Sequence, residues 1–440
     1  MERNEVARDT IAAIATPPGR GGIGIVRLSG PSARDIAEAV AGPAPKPREA
    51  TLRSFRDRSG ALLDEGLVLF FPAPHSYTGE DMLELQGHGG PVVLQSVLTA
   101  CVDAGARLAE PGEFTRRAFL EGKLDLAQAE AVADLIDAAS REAARSALRS
   151  LSGEFSSEVH ALVAQLTELR ALTEAMLDFP EEEIDALDRN DAARRLAGLR
   201  EGLEQLLARS RRGSLLQNGV HVVIAGAPNV GKSSLLNRLA GEERAIVTPI
   251  AGTTRDALRE PLEIEGVPVV LVDTAGLRAS TDEVERIGME RTRRELEHAD
   301  VVLAVAEAGQ PQRFSEPLPA ASARIDIYNK ADLRPGFSPP AGALAVSAKT
   351  GAGLDELREA ILKAAGWFST GESGFLARER HLRALEAARG HVENAGRQTA
   401  QAELFAEELR LAQAALGEIT GAVTADALLG EIFARFCIGK

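Results

Sequence analysis

Residues 226–233 read Gly-Ala-Pro-Asn-Val-Gly-Lys-Ser, the pattern G-x-x-x-x-G-K-S. The apolar run Val220 to Ala225 precedes it and Leu235-Leu236-Asn237-Arg238-Leu239 follows. A buried strand therefore feeds a glycine loop that opens a helix, the context this motif requires. Glycines let successive backbone N–H groups turn toward phosphate oxygens, and the helix N-terminus adds its partial positive charge. In that frame Asn229, Val230, Gly231, Lys232, Ser233 and Ser234 surround the phosphates. The Lys232 ammonium reaches the β- and γ-phosphates, and the Ser233 hydroxyl ligates Mg²⁺.

Four further boxes follow in the order a guanine-nucleotide site needs. Gly252-Thr253-Thr254-Arg255-Asp256 lies in a polar loop, where a threonine completes the Mg²⁺ shell and senses the γ-phosphate; Thr248, Pro249, Ile250 and Ala251 lead into it. The strand Val269 to Val272 ends in Asp273-Thr274-Ala275-Gly276, with Asp273 as the outer-sphere carboxylate for Mg²⁺ and the Gly276 N–H at the γ-phosphate. Asn329-Lys330-Ala331-Asp332 follows the strand Ile325 to Tyr328. The Asp332 carboxylate accepts from both N1–H and the 2-amino group of guanine, a pair that adenine lacks. Ser347-Ala348-Lys349 follows Leu344-Ala345-Val346 and closes over the base. The nucleotide is GTP rather than ATP.

Composition agrees with a soluble machine. A length of 440 residues suggests two or three domains, and 45% apolar residues suffice for their cores. Aromatic residues make up 4%, which argues against binding single strands by stacking. Cys101 and Cys437 stand too far apart in sequence to suggest a disulfide framework or a zinc site. The net charge of −15 works against nonspecific binding to nucleic acid. Residues 1–120 hold 13 Lys+Arg against 15 Asp+Glu, so they are not a basic RNA-binding module. No run of about 18 apolar residues appears, so no membrane span is expected. Met1-Glu2-Arg3-Asn4-Glu5 lacks a signal sequence, and a cytoplasmic location is expected.

Texture divides the chain. Residues 1–120 mix short apolar runs (Ile23 to Val26, Gly66 to Phe71, Met82 to Leu85) with Gly/Pro turns and read as a small α/β domain. Residues 121–217 become helical, with Phe155, Val159, Leu162, Leu166, Leu169 and Met176 at alternating four- and three-residue steps apart from one skipped position, a stripe meant for another helix. Phe179-Pro180-Glu181-Glu182-Glu183 breaks it. Residues 218–368 form the GTPase domain. Helical texture resumes in residues 369–440, where Phe405, Leu409, Ala412, Leu416 and Ile419 repeat the stepping. The fold class expected is α/β plus all-α: an N-terminal α/β domain and a discontinuous helical bundle, interrupted by a Ras-like P-loop domain inserted with its ends close together.

Hydrolysis needs a group to orient water. Many small GTPases use a glutamine directly after Asp-x-x-Gly, but that position here is Leu277, which cannot hydrogen-bond water. Arg278 and Glu285 lie in the adjoining loop. Glu285 reads either as a solvated loop carboxylate or as the group that aligns the water. Asn229 reads either as an Asx turn or as an oxygen donor to a monovalent cation bridging the phosphates.

Outside the boxes the chain carries Thr16-Pro-Pro-Gly-Arg-Gly-Gly-Ile-Gly-Ile-Val-Arg27, Tyr77-Thr-Gly-Glu-Asp-Met-Leu-Glu-Leu-Gln-Gly-His-Gly-Gly90 and Pro111-Gly-Glu-Phe-Thr-Arg-Arg-Ala-Phe119. Lys123-Leu-Asp-Leu-Ala-Gln-Ala-Glu130, Asp178-Phe-Pro-Glu-Glu-Glu-Ile-Asp185 and the final Phe436-Cys-Ile-Gly-Lys440 complete the set. With these segments the whole chain resembles the MnmE (TrmE) family of tRNA uridine-modification GTPases. The resemblance implies a homodimer with a folate-binding and dimerising N-terminal domain, a discontinuous helical domain and the inserted GTPase. It implies K⁺ in place of an arginine finger, on Asn229, Thr248, Ile250 and Thr253, and Mg²⁺ on Ser233 and Thr254. It assigns water orientation to Glu285, and counts Lys232, Asn229 and Arg278 with it as catalytic. It implies a 5-formyl-tetrahydrofolate-type one-carbon carrier on Arg27, Glu84, Lys123 and Lys440, with Arg27 and Lys123 pairing with the glutamate tail and Glu84 accepting from the pterin.

On the residues alone, Glu84 is a surface strand position and Lys123 an ordinary helix-start charge. Cys437, beside Phe433 and Phe436, either anchors the tail or places a nucleophile near the carrier. The resemblance further implies a flavin- and NADH-dependent partner, MnmG (GidA), in a heterotetramer, with tRNA engaged through the complex and aminomethyl-type groups installed at the wobble uridine. This chain has no G-x-G-x-x-G fingerprint of its own in a strand–helix context. Two local departures concern the stretch Ala306 to Ala323, which is poor in apolar residues, and Asp326, which should face outward or lie near an edge.

Overall fold

A computed structural model describes residues 9–178, 189–242, 259–273, 295–312, 322–367, 374–422, 426–434 and 436–439. It resolves into two compact units, Met1–Ala133 with Gly417–Lys440, and Asp134–Leu416. The expected combination of α/β and all-α parts is what these units contain.

The first unit is built on β1 (Ile11–Ile14), β2 (Gly21–Ser29), α1 (Ala33–Ala41), β3 (Thr51–Arg56), β4 (Leu62–Phe71), β5 (Met82–Gly89), α2 (Pro91–Asp103) and β6 (Arg107–Leu108). The sheet order is β3-β4-β5-β2-β1-β6, antiparallel except for the β1–β6 pair. Period-two alternation sorts its faces. Val26, Leu28, Val68, Phe70, Leu83 and Leu85 are buried in one core with residues of α1 and α2. Arg27, Phe71, Met82 and Glu84 occupy the intervening positions and so share the opposite face, with Arg27 directly across from Glu84 in the register. Beyond the sheet come α3 (Glu113–Leu120) and α4 (Leu126–Asp137).

The second unit carries α5 (Arg141–Leu151), α6 (Glu154–Asp178) and α7 (Arg189–Asn218). Phe155, Val159, Leu162, Leu166 and Leu169 are buried, as their spacing predicts. Met176 is not, at 40% exposed: burial along this stripe ends at Thr173, and the last turn of α6 extends beyond it. α7 runs directly into a second sheet, made of β7 (Val220–Gly226), β8 (Arg259–Ile264), β9 (Val267–Asp273), β10 (Val301–Glu307), β11 (Ala323–Asn329) and β12 (Leu344–Ala345), with α8 (Lys232–Glu242) and α9 (Leu354–Ala364). Its order is β12-β11-β10-β7-β9-β8, parallel except for the antiparallel edge strand β8. β7 has β10 on one side and β9 on the other, so the strand order reverses at its C-terminal end, where open α/β sheets bind ligands. Asp326 sits on β11 before the short β12 begins to pair, half-buried and bonded to Arg324. That is the edge position its charge required.

The chain then re-enters the helical part through Gly374–Ala377, followed by α10 (Glu379–Arg397) and α11 (Ala402–Thr420). Phe375 is fully buried, its ring 5.5 Å from Phe155 and under the Arg209 guanidinium at 4.2 Å. Ser146 Oγ donates to Gly374 O (3.0 Å) and Ser150 Oγ to Leu376 O (3.4 Å). A glycine is obligatory at 213 on α7, because a Cβ there would lie 1.4 Å from the Phe375 carbonyl oxygen. Ala143, Ala147, Leu216 and Leu376 share one core with the strands of the nucleotide-binding sheet. Phe405, Leu409, Ala412, Leu416 and Ile419 are all buried.

The last helix, α12 (Asp426–Phe433), packs in the first unit, where Phe433 and Phe436 cluster with Leu126, Ala129 and Phe119. Residues 417–440 thus belong to the unit containing the first sheet, whereas the sequence division keeps all of 369–440 with the helical domain. No described helix is long and apolar enough to cross a membrane.

Candidate nucleotide and carrier sites

The G-x-x-x-x-G-K-S loop leaves β7 at Gly226 and enters α8 at Lys232. Asn229 (φ 63°) and Gly231 (φ 94°) adopt left-handed backbone, which asparagine tolerates and glycine adopts freely. Gly231 is also fixed by space, since a Cβ would come within 2.4 Å of Asn329 Nδ2. The Lys232 ammonium is buried over the loop, donating to the carbonyls of Gly226 (2.9 Å) and Ala227 (2.8 Å). Ser233 and Ser234 follow it in the first turn of α8, both exposed.

Asn329, 1% exposed, ties this loop to the loops that carry the last two boxes. Its Nδ2 donates to Val230 O at 2.9 Å and its Oδ1 accepts from the Ala348 amide at 3.1 Å. Ser347 Oγ donates to Asp332 Oδ1 at 2.6 Å and accepts from the Thr350 amide. Asp332 is itself exposed, and a carboxylate offers about four lone-pair sites, so one serine leaves it able to receive two guanine N–H donors. Lys330, in left-handed backbone, is pinned by Glu307 at 2.8 Å, and Lys349 is exposed. Three of the five boxes therefore converge: the phosphate loop, Asn329-Lys330-Ala331-Asp332 and Ser347-Ala348-Lys349. Asp273 ends β9, level with Ile224 of β7. Thr248, Pro249, Ile250, Ala251, Gly252, Thr253, Thr254, Thr274, Ala275, Gly276, Leu277, Arg278 and Glu285 lie outside the described residues.

The second candidate site lies on the face of the first sheet opposite α1 and α2. Arg27 Nε and Nη2 both donate to Glu84 Oε1, at 3.1 and 2.9 Å. Two residues expected to reach different parts of a carrier thus bond to each other. Arg27 Nη1 donates to Gly439 O at 3.3 Å, which brings the C-terminal segment onto the sheet. The guanidinium lies 5.9 Å from the Tyr77 ring centre and 5.8 Å from that of Phe114. Gln86 Nε2 donates to the other Glu84 oxygen at 3.2 Å. Burial pushes the Tyr77 phenol above its ordinary 10.0, with its bond to Thr115 and the Arg27 charge only partly opposing, so the ring faces the site neutral.

Lys123 follows α3 and donates from Nζ to Pro74 O at 2.9 Å. The Phe436-Cys-Ile-Gly segment is held by Pro111 pairing with Ile438 and by the Gly112 amide donating to Cys437 O. Phe433 and Phe436 do the anchoring, while the Cys437 side chain is exposed. Cys101 is the opposite case, its thiol pushed up to about 12 by burial. Lys440 lies outside the described residues.

Behind this face, Arg117 (3% exposed) holds Asp9, Glu80 and Glu113 at 2.7, 3.2 and 2.9 Å. Glu80 also accepts from Ser29 Oγ at 2.7 Å, so the turn that carries Tyr77 is fixed from within. Burial alone would raise the Glu113 carboxyl, but bonds from Arg107, the Glu110 amide and Arg117 prevail and hold it below its ordinary 4.5. Neither this network nor Tyr77 and Phe114 stood out in the sequence as site residues. Tyr77, Glu80, Glu113, Phe114 and Arg117 were marked only by membership of the segments Tyr77–Gly90 and Pro111–Phe119.

Family models match at residues 10–123, as the N-terminus of the GTP-binding protein TrmE, and at residues 126–437, as the MnmE helical domain. The chain is 60% identical over 443 residues to the tRNA modification GTPase MnmE of Azoarcus sp. (strain BH72), covering 98% of both chains. It is 58% identical over 438 residues to that of Thiobacillus denitrificans, again covering 98% of both. Among solved structures it is similar to a single-residue variant of Aquifex aeolicus Era bound to GDP·AlF4⁻, at 29% identity over 39% of this chain and 65% of that one, with a TM-score of 0.26. A score that low supports no relationship. The near full-length identities do, and the chain belongs to the MnmE family of tRNA modification GTPases.

Proposed function

We propose that this chain hydrolyses GTP to GDP and phosphate as part of the machinery that installs aminomethyl-type groups at the wobble uridine of tRNAs. The observation that carries the reading is the coupling made by Asn329, which locks the phosphate loop to the loops that read guanine. Asp332 and Ser347 select the base, the Lys232 ammonium and loop amides bind the phosphates, and Asn229 stands at the turn above them. Ser233 and Asn229 offer hard oxygen donors at the exposed lip of that loop, which fits Mg²⁺ on Ser233 and K⁺ on Asn229. Thr254, on the same reading, joins Ser233, while Thr248, Ile250 and Thr253 join Asn229. Bound there, the two cations would neutralise charge developing on the phosphates. Glu285 orients water, since Leu277 has no group to do so, with Arg278 beside it. Dimerisation of GTPase domains completes the cation shell and couples hydrolysis to closure.

The Arg27–Glu84 face is read as the site of a 5-formyl-tetrahydrofolate-type carrier, with Lys123, Lys440 and the exposed Cys437 around it. Its aromatic flank and paired charges suit a flat, hydrogen-bonding ring system. The redox step belongs to a flavin- and NADH-dependent partner, MnmG, and tRNA is engaged through that complex in the cytoplasm.

Two experiments test this. Mass analysis of wobble uridines in a deletion strain should show loss of the modification, restored by the wild-type gene; unchanged uridines would sink the assignment. GTP turnover should be markedly faster in KCl than in NaCl, and equal rates would remove the cation role of Asn229.

A further inference from the structure

The strand β10 ends at Glu307, directly across from Asn329 at the end of β11. The turn that follows is tied repeatedly to the Asn329-Lys330-Ala331-Asp332 box. The Ala308 amide donates to Asn329 O at 2.8 Å. The Lys330 ammonium donates to Glu307 Oε2 at 2.8 Å. The Arg334 guanidinium crosses Gly309, where a Cβ would lie 2.1 Å from Nη1. The Gln310 amide returns to Glu307 O at 2.9 Å and closes the turn on itself. On its other flank Glu307 lines a cavity of about 200 Å³ with Ala227, Pro228 and Val230 of the phosphate loop. One carboxylate therefore stands between the phosphate loop and the guanine box.

Lys330 bends at φ 62° into the short 3₁₀ turn Ala331–Leu333, and its side chain reaches back to the end of β10. A lysine ammonium rides on a flexible four-carbon stem, which an anchor at the tip holds extended. Resting on the reading of this box as a nucleotide contact, we propose that Glu307 is a positioning residue for GTP binding. It pins the Lys330 ammonium so that the apolar stem is presented as a platform for the purine ring. Long cationic side chains lay their methylenes along apolar surface while the charged head keeps a polar partner. The pair then contributes to affinity and not to base choice. A hydrocarbon stem meets the same ring face in guanine and hypoxanthine, whereas Asp332 faces the 2-amino group that hypoxanthine lacks. The two side chains are 32% and 38% exposed, so solvent screens part of their attraction and the effect is moderate.

The test is titration of the full chain with fluorescent GDP and IDP analogues. Glu307→Gln keeps the volume and removes the charge. It should weaken both nucleotides by the same factor, about two- to fivefold, leaving the GDP/IDP ratio at its wild-type value. Glu307→Asp keeps the charge and should bind more tightly than Glu307→Gln. In a Lys330→Met background, Glu307→Gln should weaken binding no further, because the group it positions is gone. The proposal would be overturned by unaltered affinity in Glu307→Gln, by a changed GDP/IDP ratio, or by a Glu307→Asp variant no better than Glu307→Gln. A loss that persists undiminished in the Lys330→Met background would overturn it too, leaving Glu307 a purely structural role. Unaltered affinity in Lys330→Met alone would instead overturn the reading of the box beneath it.

Discussion

Replacing Asn329 with alanine should uncouple the two halves of the nucleotide site. The side chain is 1% exposed and satisfies two backbone groups, Val230 O at 2.9 Å and the Ala348 amide at 3.1 Å. A buried polar group left unpaired costs about 1–3 kcal/mol, so the pair together costs about 2–6 kcal/mol before any water enters. The sheet beneath is held by a large apolar core that Asn329 does not join, so the domain still folds. Both orphaned groups lie in loops of the proposed nucleotide site, and the cost falls there. A fluorescent GDP analogue titrated against Asn329→Ala should show affinity reduced about 10- to 100-fold, alongside a lowered urea midpoint.

Asn329→Asp sharpens the test. It keeps the volume and the acceptor for Ala348, but turns a second oxygen toward Val230 O, acceptor against acceptor. Burial and that carbonyl both favour the neutral acid, so the carboxyl pKa rises and the repulsion eases as pH falls. Affinity of the Asp variant should recover from about pH 8 to about pH 6, while the Ala variant stays flat. A variant that melts earlier yet binds GDP within twofold of wild type would show that Asn329 serves the fold alone, and the reasoning would be wrong.

Other outcomes follow from the same geometry. Gly213→Ala places a Cβ 1.4 Å from Phe375 O, and urea unfolding should register a loss of about 4 kcal/mol or more; a loss under 1 kcal/mol contradicts the packing described. Arg117→Gln removes the buried guanidinium that Asp9, Glu80 and Glu113 share, leaving Arg107 on Asp9 and Glu113, and should cost about 3–5 kcal/mol at pH 7. Glu113 has a folded pKa below its ordinary 4.5, so its stabilisation is present above that value and lost as pH falls through the folded pKa. The gap between variant and wild type should therefore narrow in melts at about pH 3.5, and a pH-independent gap would refute the charge network. Asp332→Asn exchanges an acceptor for a donor and should shift preference from GTP toward XTP in a competition assay, with no shift counting against Asp332 as base reader. Glu285→Ala should lower turnover while GDP affinity holds; unchanged turnover would return Glu285 to a solvated surface carboxylate.

The nucleotide-binding sheet was legible because its information is local. Val220–Gly226, Val267–Asp273, Val301–Glu307 and Ala323–Asn329 are apolar runs ending in chemistry, and a buried parallel strand reads as such a run. The helical stripes were equally open, since burial follows the 3.6-residue period, and Met176 misled only because periodicity does not say where along a helix the burial ends. What the sequence withheld is long-range. Arg27 meets Gly439 across 412 positions, and Ser146 meets Gly374 across 228, with no periodic mark on either partner. Cys437 read on the residues alone either as a tail anchor or as a nucleophile; its phenylalanine neighbours are buried and its own side chain is exposed.

The contact between Gly213 and Phe375 also has a thermodynamic side. It closes the entire GTPase domain into one loop whose ends touch beneath α7. A folded insert holds those ends together at no further entropic cost. An unfolded insert of that length would oppose closure by roughly 4 kcal/mol, so the helical layers should lose part of their stability whenever the nucleotide-binding sheet melts. Guanine nucleotide, by holding the sheet folded, would then act as a conditional clamp on helices it never touches.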